Sequence, residues 1–226
     1  MGVNVVFLFD VDNTLLDNDR VTQDLRDHLN VEYGPEARDR YMTILEELRD
    51  AHGYVDYLGV IQRWRLDAID DPRVPLLSQF LIHYPFERRA FPGAIEVLER
   101  LDRVGRTVIL TDGDVVFQPR KVRQAGIWDA VDGRVLIFIN KEKHLGDVER
   151  FYPADRYVLI DDKLRIHAAV KPQWGERVTT VFVRQGHYAH DEATIAAYPP
   201  ADITIDRIDE LLDMDPAKFT AGLTGG

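Results

Sequence analysis

Two pairs of aspartates come directly after apolar stretches of the chain. Asp10 and Asp12 follow VVFLF, with Thr14 close behind, and Asp161 and Asp162 end the stretch RYVLIDD. Carboxylates that share one site repel each other when ionised, so they need a cation between them. The chain has no cysteine, and oxygen ligands favour a hard cation; Mg²⁺ fits best, because it takes carboxylates and accepts a phosphate oxygen. The four aspartates therefore predict a Mg²⁺ site that receives a phosphate.

Further polar residues stand at the ends of similar apolar stretches. Thr111 and Asp112 end one of them, and Lys141 and Lys143 follow another. Each stretch is apolar on both faces, which is typical of strands in a parallel sheet with helices on both sides. The predicted strands cover residues 5–10, 106–112, 134–140, 156–162 and 179–183.

Helix-like segments alternate with these strands. Residues 94–105, for example, carry Ile95, Leu98 and Leu101 at helical spacing before Gly105. Strands that alternate with helices predict an α/β fold with a doubly wound, Rossmann-like parallel sheet. In such sheets the ligand lies at the carboxyl ends of the strands, where the strand order reverses. We therefore expect the aspartates, Thr111 and a lysine to converge there.

One interval breaks the alternation. Residues 17–90 show helical patterns and no strand signal, as in the segment that starts with Pro35 and stops at Gly53. About seventy residues are too many for one crossover between strands. We predict a separate helical domain at 17–90, inserted into an α/β core domain formed by 1–16 and 91–226.

Composition narrows the classes of function. The chain has 226 residues, is 45% hydrophobic and carries a formal net charge of -11. This charge argues against a partner such as duplex nucleic acid or an anionic membrane, because the necessary surplus of Lys and Arg is missing. The apolar start is too short to span a bilayer and lacks a basic leader, and the absence of cysteine fits a reducing interior. We expect a cytoplasmic protein, and the sequence gives no sign of an oligomeric state.

The motifs together resemble those of the haloacid dehalogenase-like (HAD) superfamily. DVDNT is similar to the first motif of that family, VILTD to the second, NKEK to the lysine motif and VLIDD to the acidic fourth motif, in family order. The helical insert between the first two motifs resembles the family's C1 cap, which closes over the active site. The resemblance implies a HAD-like hydrolase with an α/β core.

The resemblance also implies roles for the residues. Asp10 would be the nucleophile that forms an aspartyl-phosphate, and Asp12 the acid and base, with its main-chain carbonyl on the metal. Thr111, with Asp112, would bind the phosphoryl group. Lys141 or Lys143 would neutralise its charge, and we expect Lys141 because it lies nearer the end of its strand. Asp161 and Asp162 would complete the Mg²⁺ site.

The second aspartate of the first motif bears on the reaction. Family members with an acid at the position of Asp12 are phosphatases or, less often, phosphomutases, whereas haloacid dehalogenases lack it and need no metal. We therefore expect a Mg²⁺-dependent phosphomonoester hydrolase whose partner is a small phosphorylated metabolite. The alternatives are a phosphomutase or phosphotransferase of the same superfamily, or a phospho-acceptor or binding protein without turnover. Receiver domains of signalling proteins carry similar residues but are much shorter and have no helical insert.

Overall fold

The sheet of the protein contains six parallel strands. The computed structural model describes residues 3–67 and 69–220. Its strands are β1 (Val5–Phe9), β2 (Arg106–Asp112), β3 (Val135–Phe138), β4 (Arg156–Asp161), β5 (Val178–Val183) and β6 (Ile203–Ile205). Their order in the sheet is β3-β2-β1-β4-β5-β6, and every neighbouring pair is parallel. The predicted α/β class with a doubly wound parallel sheet is confirmed.

Each of the five predicted strand segments contains a strand of the sheet. β3 is shorter than its apolar stretch, because Asn140 adopts a left-handed conformation with φ 58° and turns the chain away. β6 was not predicted from the sequence. It has only three residues, and so short a segment carries too little alternation to be recognised.

Helices cover both faces of the sheet. Alternate strand residues point to opposite faces, so Phe7 and Phe9 belong to one apolar cluster and Val6 and Leu8 to another. The helices lie between the strands and after β6. Apart from short 3₁₀ turns they are, in chain order, α1 (Asn18–Glu32), α2 (Pro35–His52), α3 (Tyr57–Asp67), α4 (Val74–Ile82), α5 (Ala94–Asp102), α6 (Phe117–Gln124), α7 (Ile127–Ala130), α8 (Leu145–Phe151), α9 (Leu164–Trp174), α10 (Glu192–Ala196) and α11 (Ala217–Thr220). In the described part of the chain, no helix is long and apolar enough to cross a bilayer.

The four helices α1 to α4 fill the interval between β1 and β2. α2 begins with Pro35 in its first turn and ends at His52; Gly53 follows as its C-cap, with a φ of 81° that suits a residue without a side chain. Its buried residues Tyr41 and Leu45 belong to the same apolar cluster that covers one face of the sheet. The division into a core domain and a helical domain at 17–90 stays a prediction.

Two chain segments join these helices to the sheet, and they run side by side. Leu16 and Ala90 form an antiparallel bridge, and the Asp17 amide donates to the Arg89 carbonyl at 2.8 Å. The Phe91 amide donates to the Leu15 carbonyl at 2.9 Å. The insert therefore begins and ends at one point beside the carboxyl end of β1.

Candidate active site

The predicted acidic residues meet where the strand order of the sheet reverses. β1 lies between β2 and β4, and the Asp10 amide donates to the Ile160 carbonyl at 2.9 Å, which carries the pairing with β4 past the end of β1. Asp161 ends β4, and Asp162 follows it. Because parallel strands bring their carboxyl ends to one edge, two distant parts of the sequence supply one cluster.

Asp10, Asp161 and Asp162 form this acidic cluster. Each offers a side-chain oxygen, and these oxygens all lie within 4.8 Å of one another; all three residues are buried. Oδ2 of Asp10 and both side-chain oxygens of Asp162 accept no hydrogen bond. Buried carboxylate oxygens are seldom left without a partner, so this set of oxygens fits a hard divalent cation such as Mg²⁺.

Lys141 provides positive charge on one side of the acidic cluster. Its Nζ lies 2.6 Å from Asp10 Oδ1 and 2.7 Å from Asp161 Oδ2, and it donates to the Leu110 carbonyl at 3.1 Å. Its backbone amide donates to Asp112 Oδ1 at 2.8 Å, which fixes the start of the lysine side chain. Burial acts to lower the pKa of Lys141, but Asp10 and Asp161 outweigh it and raise that pKa above its ordinary value.

The three carboxylates have different electrostatic environments. Burial raises the pKa of Asp10 to about 6, although Lys141 opposes the shift. Burial also raises the pKa of Asp162 well above its ordinary range. For Asp161, burial acts in the same direction, but Lys141 and Lys163 outweigh it, so the pKa of this carboxyl lies below its usual value. Lys141 and Lys163 thus offset the cost of burial at Asp161 but not at Asp10 and Asp162, and a bound cation would supply further positive charge there.

The carboxylate of Asp12 lies apart from the acidic cluster. Lys121 of α6 donates to Asp12 Oδ1 at 2.7 Å and to Oδ2 at 3.0 Å. Its third contact is with the side-chain oxygen of Asn18, the first residue of α1, at 3.1 Å. Of the four predicted metal ligands, the structure therefore brings together the side chains of Asp10, Asp161 and Asp162, and it places the Asp12 side chain on Lys121.

The remaining predicted site residues fall on the same edge of the sheet. Thr111 is buried near the end of β2, and its hydroxyl accepts a hydrogen bond from Gln118 Nε2 at 3.0 Å. Asp112 holds the backbone of Lys141, as described above, and burial raises its pKa. The structure brings Lys141 to Asp10 but leaves Lys143 exposed, because the turn at Asn140 points only the first lysine inward.

The loop after β1 is shaped by Asn13 and by a close approach of Gly186. Asn13 has a φ of 62°, and its Oδ1 accepts from the backbone amides of Asn18 and Asp19 at 3.0 and 3.1 Å, at the start of α1. A Cβ on Gly186 would lie 2.5 Å from the Asn13 side chain, so only glycine fits there. The loop after β5 therefore packs against the motif that carries Asp10 and Asp12.

A cavity of about 690 Å³ opens beside these residues. Asp12, Asp112, Lys121 and Lys163 line one side of it, and residues of α1, α2 and α3 line the other. At its rim Arg49 of α2 donates to the hydroxyl of Tyr188, and the backbone amide of His187 donates to Asp19 of α1 at 2.7 Å. A ligand in this cavity would contact both the helical insert and the edge of the sheet.

Sequence reasoning missed Lys121, Lys163 and Gln118. Lys163 directly follows the acidic motif, and its Nζ lies 3.6 Å from Asp162 Oδ1. Lys121 and Gln118 belong to a helix whose buried face also carries Phe117 and Val122. A charged or polar residue on an otherwise apolar helix face could have indicated these site residues, because lysine is rarely buried without a partner.

Comparison with known proteins identifies the family of the chain. Residues 5–147 match the model for the haloacid dehalogenase-like hydrolases. A haloacid dehalogenase-like hydrolase from Burkholderia xenovorans LB400 is 56% identical, with a TM-score of 0.90 over 95% of this chain and 100% of the other. No curated protein matches the chain.

More distant structures share the fold. L-2-haloacid dehalogenase from Xanthobacter autotrophicus, solved with chloropropionic acid covalently bound, is 17% identical, with a TM-score of 0.60 over 93% of this chain and 97% of the other. The HAD-hydrolase YfnB from Bacillus subtilis, bound to magnesium, is 19% identical, with a TM-score of 0.61 over 94% and 98%. The family model and the Burkholderia structure agree with the motifs, and the chain belongs to the haloacid dehalogenase-like hydrolases.

Proposed function

We propose that the protein is a Mg²⁺-dependent phosphomonoester hydrolase that acts on a small phosphorylated metabolite through an aspartyl-phosphate. The observation that carries the proposal is the acidic cluster of Asp10, Asp161 and Asp162, with buried oxygens that accept no hydrogen bond. Such a cluster suits a cation, and a cation held by carboxylates attracts a phosphate dianion. A bound Mg²⁺ would supply positive charge beside the phosphoryl oxygens and keep the carboxylates ionised.

In the first step a carboxylate oxygen of Asp10 forms a bond to phosphorus, and the bond from phosphorus to the ester oxygen breaks. Lys141, which lies 2.6 Å from Asp10 Oδ1, orients this carboxylate and stabilises the negative charge of the phosphoryl group. The hydroxyl of Thr111, held by Gln118, binds a phosphoryl oxygen that is not transferred. Asp112 takes part through its hydrogen bond to the backbone of Lys141.

Asp12 transfers the protons. It gives a proton to the departing alkoxide in the first step and takes one from water in the second, when water attacks phosphorus and releases Asp10 and inorganic phosphate. A halide ion leaves without a proton, so the first step of a dehalogenation would need no acid at this position. The position of Asp12 on the cavity wall thus favours a phosphate ester over a haloacid.

The helices α1 to α4 act as a cap in this proposal. The cavity lies between them and the sheet edge, so the leaving group of the substrate contacts residues of the insert. Binding energy from that contact positions the ester for attack by Asp10. Transfer to a second hydroxyl instead of water would make the protein a phosphomutase or phosphotransferase.

The test is a screen of phosphorylated metabolites with purified protein, with Mg²⁺ and with excess EDTA. We expect release of inorganic phosphate with Mg²⁺ and loss of that activity with EDTA. Full activity in EDTA would contradict the metal assignment. Halide release from 2-chloropropionate, without phosphate release from any ester, would assign the protein to the dehalogenases instead.

A further inference from the structure

Lys121 is a buried lysine that none of the recognised motifs contains. It lies on α6, on the core side of the cavity, and only 1% of its surface is exposed. Burying an ammonium group is unfavourable unless its hydrogen bonds are satisfied. Here two contacts go to the two oxygens of Asp12 and one to Asn18, which matches the three donors of the group.

The surroundings of Lys121 leave its ammonium group little freedom. The ring centroids of Tyr57 and Phe117 lie 6.0 and 5.9 Å from Nζ, so aromatic side chains flank it. In the described part of the chain, the Asp12 carboxylate has no other side-chain partner than Lys121. The lysine therefore determines where this carboxylate points.

The two aspartates of the first motif each have their own lysine. Lys141 reaches Asp10 from the turn after β3, whereas Lys121 reaches Asp12 from α6. The side chain of Asp12 is 26% exposed, so without a partner it could turn away from the substrate. Asn18, the third contact, begins α1, so the same ammonium group also joins Asp12 to the helical insert.

We propose that Lys121 is a positioning residue, which holds Asp12 in place for proton transfer to the leaving alcohol. The inference rests on the proposed function. Lys121 acts through Asp12 and makes no contact with the transferred phosphoryl group. Its loss should therefore harm only those steps in which Asp12 moves a proton.

Two phosphate esters separate this role from a structural one. The alkoxide of an alkyl phosphate needs a proton as it leaves, whereas 4-nitrophenolate leaves unprotonated. For Lys121→Met we expect single-turnover formation of the phosphoenzyme to fall about a hundredfold with an alkyl phosphate and to change less than about threefold with 4-nitrophenyl phosphate. Lys171→Met removes a lysine that pairs with Asp202 and donates to the Val178 carbonyl at the start of β5; it is the matched control and should leave both rates unchanged.

Two further variants keep the test informative if Lys121→Met folds poorly. Asn18→Ala removes one contact of the ammonium group, and we expect a loss of about tenfold that is confined to the alkyl ester. In an Asp12→Asn background, adding Lys121→Met should cause no further loss with the alkyl ester, since the group that the lysine positions is already gone.

Equal losses with both esters, or a further large loss in the Asp12→Asn background, would overturn the role of Lys121 and indicate direct substrate binding. If the role of Lys121 fails in this way, the proposed function still stands as long as the wild type forms phosphoenzyme from both esters. A wild-type protein that forms none from either ester would instead overturn the proposed function, and this inference with it.

Discussion

The sheet edge and the rim of the cavity both carry charged residues, but in different environments. At the sheet edge, Lys141, Asp10 and Asp161 are at least 97% buried as side chains. At the rim, His187 and Asp19 are 60% and 36% exposed. Water screens charges at the rim and is excluded from those at the edge, so a lost charge matters far more at the edge.

Asp10→Asn tests the sheet edge and has the largest expected effect. An amide oxygen is a poor nucleophile, so we expect phosphatase activity to fall on the order of 10⁴-fold or more. Phosphate release in steady state measures the loss. Asp155→Asn is the control, because Asp155 precedes β4 at the opposite edge of the sheet and should not affect turnover. Comparable activity of Asp10→Asn and wild type would remove Asp10 from the reaction.

Lys141→Met and Lys143→Met compare a buried lysine with an exposed one two residues away. Losing the Lys141 ammonium leaves Asp10 and the phosphoryl charge without stabilisation, so turnover should fall on the order of a hundred- to a thousandfold. Lys143→Met should leave turnover unchanged. Circular dichroism of both variants establishes that they fold. A large loss at 143 with near-normal activity at 141 would reverse the assignment.

Asp24→Asn affects stability and not chemistry, because Asp24 lies where the insert meets its return segment. Its Oδ2 accepts from Tyr84 at 2.5 Å and from Arg89 at 2.7 Å. We expect a loss of about 1 kcal/mol in the free energy of unfolding, measured by urea denaturation, with kcat unchanged. Asp27→Asn, exposed on the same helix, is the control and should unfold like wild type. A kcat that falls with the stability would show that this junction contributes to catalysis.

The stability difference between wild type and Asp24→Asn should depend on pH, with a defined sign. Burial acts to raise the pKa of Asp24, but hydrogen bonds from Tyr84 and Arg89 hold it below its ordinary value. The stabilisation is therefore complete above the pKa of Asp24 in the unfolded chain and disappears as the pH falls through the lower folded value. Wild type and Asp24→Asn should converge in stability at acid pH. A difference in the free energy of unfolding that stays constant as the pH falls through the folded pKa of Asp24 would contradict an ionic contribution from this carboxylate.

Tyr188→Phe tests the rim and has the smallest expected effect. It removes the hydroxyl that accepts a hydrogen bond from Arg49, a partly exposed contact between the loop after β5 and α2. We expect KM to change about threefold or less, with kcat unchanged. Tyr198→Phe is the control, because it removes the hydroxyl of another tyrosine that lines the same cavity. A loss of kcat as large as that of Lys141→Met would show that turnover depends on contacts at the rim as strongly as on those at the sheet edge.

The residues of the acidic cluster could be predicted from the sequence because each directly follows an apolar strand. A parallel sheet brings the carboxyl ends of its strands to one edge, so the convergence of Asp10, Asp161 and Asp162 does not depend on the details of side-chain packing. The choice between Lys141 and Lys143 also followed from distance along the chain, and the turn at Asn140 gives it a physical basis.

Lys121 could not be placed in this way. Its contact with Asp12 spans 109 positions in the sequence and depends on the rotation of α6 against the sheet. The same holds for the contact between Tyr188 and Arg49, which depends on how the insert sits over the sheet edge. β6 was missed for a different reason, since a strand of three residues leaves no clear pattern.

Trapping of the covalent intermediate tests the central claim most directly. The Asp12→Asn variant, mixed with Mg²⁺ and 4-nitrophenyl phosphate, should accumulate phosphoenzyme: this leaving group needs no proton from Asp12, whereas hydrolysis of the aspartyl-phosphate lacks its base. After acid quenching and digestion, mass spectrometry should find one added phosphoryl group on the peptide that contains Asp10. Hydrolysis of the ester by wild type without any such adduct in the variant, or with the adduct on another residue, would contradict the account.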